Sequence, residues 1–213
     1  AVVSYNKALT IKSDFAEAHA NLGNIFQELG KFDEAMASYK KAIAIKPDFA
    51  EAHYNLGNAL QGFGRIGEAV ESLGAFKDLR KTEKAMKSYN KAISIKPDFA
   101  EAHSNLGIVL QGLGKIDEAI VSFNKVIAIK PNYAEAYCNL GNALQGLGEL
   151  DEAVASYKKA LAIKPDDTIC HSNLMQTEQY RLGQNSRNLY RLHKDWNDRH
   201  AQRFQKNWPK HRN

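Results

Sequence analysis

The stretch AEAHYNLGNALQGFG (Ala50–Gly64) decides the fold. Ala52, Leu56, Ala59, Leu60 and Phe63 are spaced three and four apart, so they share one face of a helix. Gly62 and Gly64 follow. Glycine tolerates the left-handed backbone with which helices commonly stop, so the helix is expected to end there. The block recurs as AEAHANLGN from Ala16, AEAHSNLGI from Ala100 and AEAYCNLGN from Ala134, with a degraded copy, TICHSNLMQ, from Thr168. The spacings are 34, 50, 34 and 34 residues.

A second segment follows each block. In KIDEAIVSFNKVIAIK (Lys115–Lys130), Ile116, Ala119, Ile120, Phe123, Val126 and Ile127 form an inner face. Pro131 stops that helix, and the Asp or Asn after each such proline is expected to cap the next one. Neither helix of a pair buries its face alone, so the pairs must stack. Gly23, Gly57, Gly107 and Gly141 sit in mid-helix, at a cost of about 1 kcal/mol each against Ala. Close helix approach is the expected return. The chain is therefore read as all-α. Repeats start near residues 14, 48, 98 and 132, with a partial one at 166. The array covers 1–180 and a separate C-terminal segment covers 181–213.

Leu22, Gly23, Phe26, Ala35, Tyr39, Ala42 and Pro47 fall where the tetratricopeptide repeat carries its small and large residues. The sequence resembles that family over roughly Ala1 to Tyr180. The resemblance implies a right-handed superhelix, an α-solenoid, whose first helices line a concave face that binds proteins or extended peptides. VSYNKALTIK (Val3–Lys12) aligns with a second helix, Tyr5 with Tyr39 and Ala8 with Ala42. An array opening in mid-repeat exposes an apolar face. The expectation is a piece of a longer array, or a chain that forms homo-oligomers through exposed repeat ends.

The rhythm slips at GEAVESLGAFKDLRKT (Gly67–Thr82). Downstream, Ala85, Met86, Tyr89, Ala92 and Ile93 mark a second helix. Upstream, Ile66, Ala69, Val70 and Leu73 mark the start of another, which Phe76 and Leu79 extend. Ala69 and Ala85 lie 16 residues apart, a rotation of about 160° on one straight helix. A break near Arg80–Thr82, with Thr82 as N-cap, is thus expected. An extra or extended helix is therefore expected over 67–82, and one extra helix would reverse the direction of everything after it. Looping-out of 67–81, or a remnant of two repeats missing 18 residues, are the alternatives.

Each first helix carries an asparagine at the sixth block position: Asn21, Asn55, Asn105, Asn139 and Asn173. Asn24, Asn58 and Asn142 add a second, replaced once by Ile108. An amide offers two donors and an acceptor, suited to gripping the main chain of an extended peptide. The same side chains also suit bonding to neighbouring backbone and holding repeats in register. All eight are candidate peptide-binding residues. An extra helix at 67–82 would divide the ladder into Asn21–Asn55 and Asn105–Asn139–Asn173.

Family members that bind chaperone tails clamp a carboxylate with cations. Here the second block position is Glu17, Glu51, Glu101 or Glu135 and the fifth is Ala20, Tyr54, Ser104 or Cys138, so no such clamp is read. His19, His53, His103 and His171 recur once per repeat. Metal ligands must converge, whereas helices one repeat apart stand about 8–10 Å from each other, so these are read as packing residues. Cys138 and Cys170 are read as small packing residues too, in a reducing cytoplasm. No catalytic constellation, metal site or cofactor is expected.

The net charge of +5 is uneven. Residues 1–180 hold 20 Lys and Arg against 22 Asp and Glu, while 181–213 hold 9 against 2. A nearly neutral array argues against a nucleic-acid groove, and no stretch is long and apolar enough for a membrane span. In the tail, Leu189, Leu192, Trp196, His200 and Phe204 form an amphipathic stripe on a helix capped near Asn185 or Ser186 and ended by Trp208–Pro209. It is read as packing on the last repeat with its arginines in water, a basic binding patch being the alternative. HSNLMQTEQY (His171–Tyr180), LYRLHKDWNDRHA (Leu189–Ala201) and WPKHRN (Trp208–Asn213) resemble the join between repeats and catalytic domain in bacterial proteins similar to O-linked N-acetylglucosamine transferase. In that family the asparagine ladder contacts protein substrates. The resemblance implies the substrate-recognition arm of a protein glycosyltransferase, and a free-standing scaffold is the alternative.

Overall fold

The computed structural model describes residues 2–67, 75–182 and 186–201. Two compact units are formed, Ala1–Val109 and Leu110–Asn213. The first holds α1 (Val2–Ile11), α2 (Ala16–Glu28), α3 (Phe32–Ile45), α4 (Ala50–Gly67), α5 (Ala75–Ile95) and most of α6 (Ala100–Gly112). The second holds α7 (Ile116–Ile129), α8 (Ala134–Leu147), α9 (Leu150–Ile163), α10 (Thr168–Leu182), α11 (Ser186–Trp196) and a π-helical turn, Asn197–Ala201. No strand occurs among the described residues. Within the first unit α2 packs on α3, α3 on α4 and α4 on α5; within the second, α7 packs on α8, α8 on α9, α9 on α10 and α10 on α11.

Small residues set the spacing. A Cβ added at Gly23, Gly57 or Gly141 would lie 2.5, 2.5 or 2.6 Å from a ring carbon of Tyr39, Tyr89 or Tyr157. These rings are fully buried, each on the second helix of its pair. Around them sit alanines with no accessible surface, among them Ala35, Ala59, Ala85, Ala143 and Ala153. The backbone cost of a mid-helix glycine is therefore offset by ring burial, worth about 1.5–3 kcal/mol for a side chain of this size.

First helices in the 34-residue copies end on one glycine. Gly30, Gly114 and Gly148 have φ of 71°, 74° and 81°, and the following amide returns to Phe26, Leu110 or Leu144 O at 2.8–3.0 Å. The irregular copy departs from this. Gly62 and Gly64 do not end a helix, because α4 continues to Gly67. Continued backbone pairing there outweighs the modest penalty of internal glycine. Nor is there a break at Arg80–Thr82. Those residues include neither Gly nor Pro, and α5 runs through them with Thr82 in its interior.

Residues 67–82 are therefore used, where described, to lengthen two helices that pair directly. No additional helix stands between α4 and α5 among the described residues, and α5 takes the second-helix place. The stripe expected over Ile66, Ala69, Val70, Leu73, Phe76 and Leu79 lies outside the side chains described.

Helix starts also differ from expectation. Asp48, Asp98 and Asn132 are turn residues, and the cap positions fall to Phe15, Phe49, Phe99 and Tyr133. No side-chain cap bond forms at Phe15 or Tyr133. Rings at this position pack instead. Phe99 lies 4.8 Å from Tyr54, and Lys46 and Lys96 sit 5.0 and 4.9 Å over Phe49 and Phe99. The degraded copy uses a polar cap, Asp167 Oδ1 accepting the Cys170 amide at 3.0 Å.

The recurring histidines brace the turns before their helices. His19, His53 and His103 Nε2 bond the carbonyls of Ser13, Pro47 and Pro97 at 3.1, 3.0 and 3.0 Å. His171 differs. Its Nδ1 meets His200 Nε2 of the π-helical turn at 3.1 Å, and both rings are buried. Asp195 Oδ2 approaches His171 Nε2 at 3.7 Å, and Arg199 holds Asp195 at 2.9 Å. The C-terminal segment thus packs on α10 through His200 and Asp195, Trp196 lying against His200 and Arg199 outside. Leu189, Phe204 and Trp208–Pro209 lie outside the side chains described.

Candidate peptide-binding site

The asparagines belong to relays. Tyr39 Oη donates to Asn24 Oδ1 at 2.8 Å and to Gln27 Oε1 at 3.1 Å. Tyr89 does the same to Asn58 and Gln61 at 2.8 and 2.7 Å, and Tyr157 to Asn142 and Gln145 at 2.8 and 2.9 Å. Burial pushes all three phenols well above their ordinary pKa. A second donor reaches each asparagine oxygen from the next first helix. Asn55 Nδ2 donates to Asn24 at 2.9 Å, Asn105 to Asn58 at 2.8 Å and Asn173 to Asn142 at 2.8 Å. Each Oδ1 thus uses both lone pairs and ties three helices together.

Six of the eight predicted site residues are therefore committed to one another. The ladder is not interrupted at the long copy, since Asn58 is engaged by Tyr89 and Asn105 in the same geometry as its counterparts. Where described, the extra residues lengthen helices without adding one to the stack. The tyrosines and Gln27, Gln61 and Gln145 escaped the sequence reading. Their signal was present: three copies pair Asn with Tyr, while the third carries Ile108 and Phe123 in those places.

Asn139 and Asn21 stand apart. Neither side chain makes a hydrogen bond among the described residues. Asn21 is exposed on α2. Asn139 is half-buried on α8 in a cleft of about 560 Å³, with Asn132, Tyr133, Cys138 and Asn142 beside it and Ile163 and Ile169 exposed on its wall. Tyr133 Oη donates to Glu135 at 3.2 Å, and Lys164 pairs with Asp167 at 3.7 Å, which leaves the Glu135 carboxylate as the net charge of the rim. Cys170 Sγ donates to the Tyr157 carbonyl at 3.8 Å. The neighbouring Cys138 thiol, with burial, pushes the Cys170 thiol up, and proximity to Cys170 lowers that of Cys138. Both side chains are buried, and Cys138 lines the cleft.

Residues 1–30, 23–64, 75–114 and 112–148 match a family model described as TPR repeat, and 134–167 match one described as tetratricopeptide repeat. The chain belongs to the tetratricopeptide repeat family. This TPR chain is 30% identical to the protein in the crystal structure of MamA, with a TM-score of 0.64, over 77% of this chain and 86% of that one. YrrB, described as a TPR protein with an unusual peptide-binding site, superposes with a TM-score of 0.72 at 21% identity, covering 95% of each chain. A thermophilic TPR protein of Thermus thermophilus gives 0.64 at 24% identity, over 83% of this chain and 88% of that one. The last two likenesses bear on the TPR fold alone. No curated protein matches the chain. Among its described residues, no helix is long and apolar enough to cross a membrane, and no group of three or more His, Cys, Asp and Glu could hold a metal ion.

Proposed function

We propose that this TPR protein binds an extended peptide or protein segment on its first-helix face, with Asn139 gripping the main chain. One observation carries the reading. Asn139 is the half-buried ladder amide left uncommitted among the described residues, and it lies in the cleft. Its two donors and one acceptor match an extended backbone, and Ile163 and Ile169 offer apolar contact to a side chain. Asn21 is a separate candidate anchor within the first unit. Asn24, Asn55, Asn58, Asn105, Asn142 and Asn173 hold the register of the surface.

The specific form favoured is substrate recognition for a protein O-glycosyltransferase, supported by the resemblance carried by His171–Tyr180 and Leu189–Ala201. A second reading, a scaffold pairing with another copy, is favoured by the exposure of Val3 and Ile11 on α1. Peptide-array binding by the intact chain tests the first. Asn139→Ala is expected to weaken capture about tenfold across sequences, equivalent to about 1.4 kcal/mol, with unchanged melting. Equal capture by the variant overturns the anchor. Captured peptides free of Ser and Thr would count against the glycosyltransferase form, and concentration-dependent dimers in sedimentation would favour the scaffold.

A further inference from the structure

A different cavity, of about 390 Å³, opens between α3, α4 and α5. Its floor is apolar: Met36, Leu56 and Leu60. Five cations line it, Lys40 from α3 and Arg80, Lys81, Lys84 and Lys87 from α5. Arg80, Lys84 and Lys87 recur at steps of four and three, so one stripe of α5 faces the opening.

Internal comparison separates what packing requires from what it does not. Aligning Tyr157 with Tyr89 puts Ile120, Leu140 and Leu144 at the floor positions, so the apolar floor is a general need of the repeat. The rim is not retained. Lys40, Arg80, Lys81, Lys84 and Lys87 correspond to Asn124, Gly148, Glu149, Glu152 and Ala155. The second-helix acid kept as Glu34, Glu118 and Glu152 becomes Lys84 in this copy alone. In a regular copy that acid pairs with a lysine, Glu118 with Lys115 at 3.3 Å. Here Arg80 and Lys84, and Lys84 and Lys87, place like charges on one helix face, which costs a few tenths of a kcal/mol per pair. No ion pair engages Lys40, Arg80, Lys84 or Lys87 among the described residues. Glu83, three residues after Arg80 and four before Lys87, offsets part of that cost. A charge reversal around a retained apolar floor calls for an anionic occupant.

We infer that this cavity docks an acidic peptide segment of a partner protein, one large apolar side chain entering between Leu56 and Leu60 while flanking carboxylates meet Lys40, Lys84 and Lys87. The apolar floor favours a peptide over nucleic acid, whose recognition draws on phosphate contacts and aromatic stacking platforms. The size suits one side chain rather than a helix.

The test is fluorescence anisotropy of the intact chain with a short labelled peptide of Asp and Glu around one central Phe. Controls are its Asn/Gln counterpart, an oligothymidine and phosphatidylserine vesicles. Binding of the acidic peptide should fall with salt and weaken when Phe is changed to Ser. Lys84→Glu with Lys87→Ala restores the regular pattern; it should weaken binding at least about tenfold while melting no earlier than the parent. Lys40→Glu, on a different helix, should repeat the loss. Undiminished binding by these variants places the peptide elsewhere, for instance on the basic tail, and overturns the proposal. Tighter binding of the oligonucleotide or the vesicles, lost in the same variants, overturns it in favour of that ligand.

Discussion

The pairs α4–α5 and α8–α9 carry the same repeat with different connections. In the second, Gly148 turns the chain in the left-handed region and α9 starts two residues later. In the first, Gly64 is inside α4 and α5 starts at Ala75. Yet the packing centre is the same in both: a buried tyrosine against a glycine, its hydroxyl shared between an asparagine and a glutamine. Inter-helix register is thus set by the Tyr–Gly–Asn contact and not by the turn, which leaves the turn free to change length and charge.

The largest expected effect attacks what the two pairs share. Gly57→Ala and Gly141→Ala force a methyl into a ring anchored by two hydrogen bonds, and each should destabilise by about 1–3 kcal/mol in denaturant titration. Next comes the turn, where the pairs should respond with opposite sign. Gly148→Ala should cost about 1–2 kcal/mol because its φ is positive, whereas Gly64→Ala should stabilise by up to about 1 kcal/mol by helix propensity. Equal destabilisation by both would mean that the two turns share one backbone conformation. Tyr157→Phe should cost about 1 kcal/mol, and a cycle with Asn142→Ile should reveal coupling between the two.

The remaining predictions probe the ends of the comparison. The C-terminal helix docks through His171, whose pKa burial lowers; Asp195 opposes that shift, and His200 and Arg199 add to it. The unfolded histidine takes its proton near pH 6.5, above the folded value. Docking stability is therefore full above that pH and lost as pH falls below it, to be followed through Trp196 fluorescence. Last, deleting Gly67–Thr82 joins Ile66 to Glu83 and recreates a 34-residue copy. Because the relay is already continuous, melting should be unchanged while the basic cavity loses Arg80 and Lys81. A large change in either direction would show that the long copy strains or braces its neighbours.

The repeat, its helices and its mid-helix glycines were legible because periodicity and residue size fix them locally. Phe49 and Phe99 were misjudged because cap propensity speaks for Asp and Asn, while the fold gives the cap position to a ring with something to pack on. The break at Arg80–Thr82 failed for a related reason. A phase argument assumes one partner surface along the whole helix, and helix continuity follows backbone hydrogen bonding where no Gly or Pro intervenes. For the site, residue types were readable and commitments were not. Whether an asparagine faces a ligand or a tyrosine depends on a residue one helix away, and only the paired change to Ile108 and Phe123 hinted at it.

The shared oxygen of each relay has a consequence for how the chain opens. Asn24 serves α2, α3 and α4, and Asn58 serves α4, α5 and α6, so α4 takes part in both. Unfolding any one of these helices strands a donor or an acceptor on another, which spreads the opening to neighbours. Amide exchange in α2–α6 is therefore expected to proceed as one cooperative block, and exchange in α8–α10 as another.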